Sequence, residues 1–544
     1  MPKPSTAVLT LSSSTSRQPR GEERISAIDI GSNSIRQIIA DVSSSGQIRV
    51  VDELKAAPRL GAGLDRTGKL SAVAIQNALI ALGRMAALAR QLGAKRSHVI
   101  ATSAVRDAEN GRLFLDLVRE ETGLKVKVVN GDDEARLSFR SALAHFDLGV
   151  GRAVIMDMGG GSLELALSAD GLVERLVSLP LGAMRMSEEF LAGGTGGKAI
   201  RRLRKHVRRE LAGHLSTKVW HGARIICSGG TFTNLAGIHL ARASMESART
   251  VHGTVVPRVD LEHIVDVLAD MSPGERQGVP GLNAARADII VAGLAVAAEV
   301  LARLESRELE VSAYGIREGI LLEAARVTPT VADPGEARER SVNDLATRTH
   351  YEEPHSKHVQ QLALILFDAV GERLGCAPGD RELLADAALL HDIGYHINYD
   401  KHHKHAYHLI QHAELLGMTP AEQVIVANVA RYHRGSEPKK KHPNFGSLDA
   451  FMRERILRLA AILRVADGFD RGHVGAVASI KVRWTQRALR LTAVPHPRAL
   501  NMRLDLWGAT RKSGLLSKVA GMRVEIVAPE GAVFSYDDED GKAD

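Results

Sequence analysis

Two stretches of the chain repeat one pattern of apolar and polar positions. In residues 24–42 (R-I-S-A-I-D-I-G-S-N-S-I-R-Q-I-I-A-D-V) an alternating apolar run leads to Asp29, then to Gly31, Ser32, Asn33 and Ser34, then to a second apolar run. In residues 153–165 (A-V-I-M-D-M-G-G-G-S-L-E-L) the same order returns, with Asp157, a turn of Gly159, Gly160, Gly161 and Ser162, and Glu164 opening the second run. Each predicts a β-hairpin with an acidic, small-residue tip, and the two aspartates lie 128 residues apart.

Between and after these hairpins the periodicity switches repeatedly from 2 to 3.6. Residues 71–92 carry Ala and Leu at helical spacing, 97–106 read as a strand that delivers Thr102, Ser103 and Arg106 to its C-terminal end, 110–122 as a helix and 124–129 as a strand. Residues 132–146 form a helix with Asp132, Asp133 and Glu134 in its first turn, a common place for acids because of the helix dipole. The alternation predicts an α/β domain over 24–150 and a second over 151–331. In the second, residues 224–234 read as a strand, a turn containing Ser228 and Gly229, and a helix start, and residues 201–209 as a charge-rich helix with a solvated face. A Pro- and Gly-containing stretch at 328–340 marks a boundary. Beyond it the pattern is helical over 341–475, and residues 476–544 alternate as a small α+β domain.

Composition narrows the picture. At 544 residues, with roughly 150 per domain, three or four domains are expected. The chain is 44% hydrophobic and 25% charged, with a net charge of +7 and a pI near 9.3, which favours polyanionic ligands. At 4% aromatic it lacks the stacking rings of single-strand nucleic-acid platforms, so nucleic acid is not the expected partner. Only Cys227 and Cys376 are present, which excludes a disulfide framework and suits a reducing compartment. Residues 1–23 are rich in Ser, Thr and Pro, have no signal-like apolar core, and read as a disordered tail. No run approaches the roughly 18 consecutive apolar residues of a membrane span. The expectation is a cytoplasmic protein with no membrane partner.

The hairpin tips suit phosphate. Glycines without Cβ atoms let backbone N–H groups converge on an anion, and Asp157 and Glu164 offer hard oxygens of the kind Mg²⁺ takes. An ordinary glycine turn between strands is the alternative reading.

Five strings in order, S-A-I-D-I-G-S-N-S, A-T-S-A-V-R-D-A-E-N-G, N-G-D-D-E-A-R-L, D-M-G-G-G-S-L-E-L and S-L-P-L-G-A-M-R, resemble the exopolyphosphatase / guanosine pentaphosphate phosphatase family. The resemblance implies two actin-like (ribonuclease H-like) α/β lobes whose tips clamp a phosphate chain across a cleft. It also implies Mg²⁺-dependent hydrolysis of the terminal phosphate of inorganic polyphosphate. Carried over residue by residue, it makes Glu134 the base that orients the attacking water, and Asp157, Glu164 and Asp29 the Mg²⁺ acids. Gly31, Ser32, Asn33, Ser34, Gly159, Gly160, Gly161, Ser162, Ser228 and Gly229 become phosphate contacts, and Arg106 the arginine facing the phosphate chain. Here D-D-E stands before A-R-L where the family more often has two glutamates, which keeps Glu134 and changes its neighbours. A homodimer is implied as well. Guanosine pentaphosphate 5′-phosphatase is the closest rival, and a non-hydrolytic polyanion or alarmone sensor a third reading, which the retained Glu134, Asp157 and Glu164 disfavour.

The helical segment holds 12 of the 22 histidines between His350 and His442. His355, the pair His391–Asp392 and the distant Asp467 resemble the ligand pattern of HD-domain metallophosphohydrolases, which implies an all-helical HD-like domain and a second metal site. The alternative is a scaffold whose Lys404, His405, Arg431, His433, Arg434 and Lys439 to Lys441 form a basic track for a long polyanion.

Overall fold

The computed structural model describes residues 23–43, 48–243, 245, 250–327, 334–413, 415, 417–499 and 501–536. The expected disordered tail, apart from Glu23, which opens the first strand, and the first residues of the expected linker lie outside them. The chain divides into two units, one of residues 1–141 and 316–330, the other of 142–315 and 331–544.

The first unit is built on a five-stranded sheet of β1 (Glu23–Ile30), β2 (Ile35–Val42), β3 (Ile48–Ala56), β4 (Arg96–Ala101) and β5 (Val126–Val128), in the order β3-β2-β1-β4-β5. β1, β2 and β3 form an antiparallel meander, while β4 and β5 run parallel to β1. Helix Ala72–Gln91 starts where Ser71 accepts the Ala74 N–H. It buries Ala74, Ile75, Ala78, Leu79, Leu82 and Met85 with Ile28, Ile30 and Val99 of the sheet. Among the described residues this is the one helix long and apolar enough to cross a membrane, with mean hydropathy 1.5, so the sequence does contain one qualifying window once a few polar positions are tolerated. Its apolar face is the lobe's own core.

The other face of the sheet is covered from far along the chain. Helix Ile316–Ala324 places Ile320, Leu321 and Ala324 with Ile25, Ala27, Ile38 and Leu137. Gly319 makes that packing close, because a Cβ there would overlap the Leu137 carbonyl. The sequence order placed this helix at the end of the second lobe, and hydrophobic burial places it on the first sheet.

The second unit opens with β6 (Arg152–Met158), β7 (Leu163–Ala169), β8 (Leu172–Leu179), β9 (Arg224–Ser228), β10 (Thr254–Pro257) and β11 (Glu308–Val311), ordered β10-β11-β9-β6-β7-β8. Apart from the added edge strand β10, this is the first sheet's plan again: an antiparallel meander β6-β7-β8, with β9 parallel to β6 and β11 parallel to β9. The buried helix Ile290–Arg303 is apolar nearly all round and sits in this lobe's core. On Gly197–His214 the charged face is solvated as expected, with Arg201, Arg202, Lys205, Arg208 and Arg209 exposed, while Arg204 is half-buried and pairs with Glu262 at 2.6 Å.

From Pro334 to Gly468 the described residues are helical, and β12 (Val477–Trp484), β13 (Ala488–Pro495), β14 (Arg523–Val527) and β15 (Val533–Ser535) then form a four-stranded sheet. Ile480, Leu489, Leu491 and Ile526 of that sheet belong to the same buried cluster as the helices, so both share one core.

Candidate phosphate and water-activating sites

In the first unit the β1–β2 tip is a tight turn in which the Gly31 N–H donates to the Ser34 carbonyl at 3.1 Å. The carbonyls of Ser32 and Asn33 accept from the N–H groups of Gly61 (2.8 Å) and Arg59 (3.3 Å). That network fixes the tip through its carbonyls. The Ser32 hydroxyl lies 2.9 Å from the Ser103 hydroxyl, both buried.

Ser103 opens the short helix Ser103–Asp107, so β4 ends at Ala101, sooner than the sequence pattern suggested. The extended Thr102 breaks the strand and starts the helical turn. This turn carries Arg106, which donates from Nη1 to Glu134 Oε1 at 2.6 Å and to the Val129 carbonyl at 3.0 Å. Glu134 is 5% exposed, on the first turn of helix Gly131–His145. Burial alone would lower the pKa of Arg106, but the hydrogen bond and charge of Glu134 outweigh it and raise the pKa. Arg106, expected to face a phosphate chain, is thus held against the expected base. Arg317, only 16% exposed, pairs with Glu53 at 2.9 Å and feels the charge of Asp29.

In the second unit the β6–β7 tip repeats the first. The Gly159 N–H donates to the Ser162 carbonyl at 3.0 Å, and the carbonyls of Gly159 and Gly160 accept from Ala183, Met184 and Arg185 at 2.9–3.1 Å. Gly182, just before helix Ala183–Phe190, makes that contact possible, because a Cβ there would overlap the backbone of Gly160 and Gly161. Asp157 and Glu164 are direct cross-strand partners, so their side chains leave the hairpin on one face. Glu164 is buried and accepts from the Ser178 hydroxyl at 2.9 Å. Asp157 also pairs in register with Ser228 at the end of β9. Gly229 follows at φ +98°, with a would-be Cβ 2.9 Å from Asp157 Oδ1 and 2.8 Å from the Met158 carbonyl. Only glycine fits that combination of backbone sign and crowding. Ser228 Oγ is buried with no hydrogen-bond partner among the described residues. The next residue, Gly230, lies under the Arg286 guanidinium, which a Cβ would overlap.

Each expected phosphate contact therefore sits on one of two tips or on the β9 turn. Sequence reasoning delivered Ser103 to this edge without its partner Ser32, and missed the supporting residues Ser178, Gly182 and Arg286. The L-G-A-M-R string was the one signal for Gly182. Its role as a spacer against the glycine tip is not visible in one dimension.

In the helical part of the second unit His355, His391, Asp392 and Asp467 come together, all buried. Asp392 Oδ2 lies 3.5 Å from His391 Nε2 and 3.7 Å from His355 Nε2, which is 3.9 Å from Asp467 Oδ1. His433 is in this cluster and 1% exposed, so it is not part of a surface track. Burial holds His391 below, and His433 well below, the usual imidazole range. Burial would raise Asp392, but the surrounding imidazoles hold it well below the usual carboxylate range.

Residues 38–327 match the Ppx/GppA phosphatase family, and residues 337–500 match domain III of Ppx/GppA phosphatase. Exopolyphosphatase 1 of Mycobacterium tuberculosis is 32% identical over 302 residues, covering 55% of this chain and 87% of the relative. The Mycobacterium leprae protein of the same name is 31% identical over 302 residues, covering 55% and 88%. A crystal structure of an exopolyphosphatase-like protein aligns with TM-score 0.52 at 26% identity, covering 56% of this chain and 99% of that one. An exopolyphosphatase from Cytophaga hutchinsonii shares the fold, with TM-score 0.53 at 23% identity over 57% of this chain and 100% of its own. With the duplicated acidic tips and the buried glutamate in place, and with the family match running through more than half its length, the chain belongs to the Ppx/GppA phosphatase family and is a hydrolase.

Proposed function

We propose that this hydrolase is an exopolyphosphatase, which releases orthophosphate from the end of inorganic polyphosphate. The observation that carries the reading is Glu134: a carboxylate buried on a helix's first turn, gripped at 2.6 Å by Arg106, with no nucleophile required of the protein. Phosphoryl transfer to water needs positioning and charge neutralisation more than covalent catalysis. Glu134 accepts the water's proton as the water attacks the terminal phosphorus, and the bridging oxygen leaves with the shortened chain. Arg106 orients Glu134 and adds positive charge for the phosphate oxygens. In the second unit the N–H groups of the glycine tip and the hydroxyls of Ser162 and Ser228 are the contacts for phosphate oxygens, and in the first unit the β1–β2 tip with Ser32 offers contacts of the same kind.

Enzymes of this chemistry generally use a divalent metal. The donors present fit Mg²⁺: Asp157 and Glu164 share one face of a hairpin and supply hard carboxylate oxygens, and Asp29 on the first unit's own tip is a further acid of that kind. When bound, Mg²⁺ supplies charge neutralisation on the phosphate oxygens.

The names of the mycobacterial relatives support polyphosphate as the substrate. The test is orthophosphate release from long polyphosphate compared with guanosine pentaphosphate at equal terminal-phosphate concentration. Faster release from polyphosphate is expected. Preference for the nucleotide would make the chain a guanosine pentaphosphate phosphatase, and release from neither would overturn the hydrolytic reading of these sites.

A further inference from the structure

The first unit contains a cavity that the phosphate tips do not use. Its volume is about 360 Å³, within the range of small-molecule sites. All of its walls belong to that unit: β4 and β5 at the sheet's edge, the start of helix Gly131–His145, and helix Ile316–Ala324 with Arg326 just after it. It lies on the sheet face opposite helix Ala72–Gln91, since Ile100 packs with Leu137 and Ile320 while Val99 packs with that helix.

The strand period decides what the cavity meets. Side chains two apart share a face, and Ile100 pairs with Lys127, so Arg96, His98 and Ile100 of β4 stand beside Lys125, Lys127 and Val129 in and around β5. The floor is apolar, formed by the buried Ile100, Val129, Leu137 and Ile320. The rim is cationic. Arg96, Lys125, Lys127, Arg136 and Arg326 meet three acids, Asp133 and Glu323 of the wall and Glu23, which Arg96 holds at 2.7 Å, an excess of two positive charges. Arg136 pairs with Asp133 at 3.3 Å, but Lys125, Lys127 and Arg326 have no ion pair among the described residues. His98 Nε2 is a buried polar atom in the wall with no hydrogen-bond partner among the described residues. Burial and the charge of Arg96 hold that ring below the usual imidazole range, so it is neutral at pH 7 and adds no charge of its own.

Lysines on an edge strand also deter pairing with another chain. That role needs neither a concavity nor cations from other elements, and Arg136 and Arg326 come from a helix and from the chain after another. The donors approach from several directions. A planar carboxylate is best met by one guanidinium fork, whereas a tetrahedral phosphate accepts from many sides. A phosphate monoester carries about −1.5 to −2 charge at pH 7, which matches the excess, and the apolar floor suits an organic body.

We propose that this cavity is a binding site for a small organic phosphate monoester, separate from the phosphate tips. Its wall is also the frame of the proposed base. Val129 lines the cavity, and its carbonyl accepts at 3.0 Å from Arg106, the arginine that grips Glu134. Asp133 and Arg136 flank Glu134 on the same helical turn. A bound monoester therefore changes kcat more than KM, a consequence that rests on the reading of Glu134 as the base.

The test is calorimetric titration of the full-length protein with phenylphosphonate, a monoester mimic whose C–P bond resists hydrolysis. Inorganic phosphate, which lacks the apolar body, and benzoate, which lacks the tetrahedral anion, are the controls. Phenylphosphonate should bind more tightly than either. Lys125→Gln and Lys127→Gln, both exposed, should leave the melting temperature unchanged and each weaken binding about tenfold, as loss of a charge-assisted contact does. No binding to the wild type overturns the site, and binding unaffected by both substitutions places the probe elsewhere and overturns it too. Inorganic phosphate binding equally well overturns the organic ligand, and benzoate binding equally well overturns the phosphate. Saturating phenylphosphonate should shift kcat for orthophosphate release from polyphosphate in the wild type and not in Lys127→Gln. A rise in KM alone, equal in both proteins, is competition at the tips and overturns the link to Glu134. A wild type that releases no orthophosphate from polyphosphate would sink the exopolyphosphatase reading alone, because the titration still decides the cavity.

Discussion

Glu134→Gln separates the proposed base from its structural setting. The amide has the carboxylate's shape and still accepts a hydrogen bond from Arg106, but it cannot take a proton from water. The stability loss is small: Arg106 is 27% exposed on its side chain, so weakening a charge-assisted bond to a neutral one costs about 1 kcal/mol. The kinetic loss is large. Removing a general base lowers the rate by about 10²- to 10⁴-fold, a barrier increase of about 2.7–5.5 kcal/mol. Because Arg106 no longer has an anion to neutralise, its charge becomes more available to the substrate, and KM should stay level or fall. The assay is steady-state orthophosphate release with a separate polyphosphate-binding measurement and a thermal melt. A kcat within about tenfold of wild type, in a protein of unchanged stability, would refute the reasoning, since no other buried carboxylate on that helix turn can substitute.

Asp157→Asn and Glu164→Gln should each raise the Mg²⁺ concentration needed for half-maximal activity, and titration against Mg²⁺ measures it; an unchanged requirement would make both acids structural. Gly229→Ala should cost about 1–3 kcal/mol from the positive φ alone and displace Asp157, so denaturant unfolding and the Mg²⁺ titration should both shift. His252, fully buried beside the rings of His145, Phe146 and Tyr314, has its pKa pushed down to about 3 by burial. Its folded pKa lies below the unfolded value, so the folded state binds fewer protons and stability falls as pH drops below about 6.5, with roughly 2 kcal/mol lost by pH 5. Denaturant unfolding at pH 7 and 5 should show that slope in the wild type and a reduced one in His252→Gln; equal slopes would mean that the ring titrates normally.

The sequence by itself determined the features that depend on neighbours along the chain. The two D-x-G hairpins, with Asp157 and Glu164 on either side of the second tip, and Glu134 in a first helical turn all follow from period-2 and period-3.6 patterning and from turn chemistry. The duplicated lobe plan could be anticipated because the same local pattern occurs twice. The tertiary structure decided everything that depends on contacts between distant residues. It paired Arg106 with Glu134, set Ser103 beside Ser32, slid Gly182 against the glycine tip and returned helix Ile316–Ala324 to the first sheet. It also drew His402 and His433 out of a histidine-rich stretch into a buried cluster with Asp392. A surface histidine and a buried one look alike in sequence. What distinguishes them is which ring nitrogen a carbonyl claims and what the other one faces, and both are fixed only when helices far apart in the chain pack together.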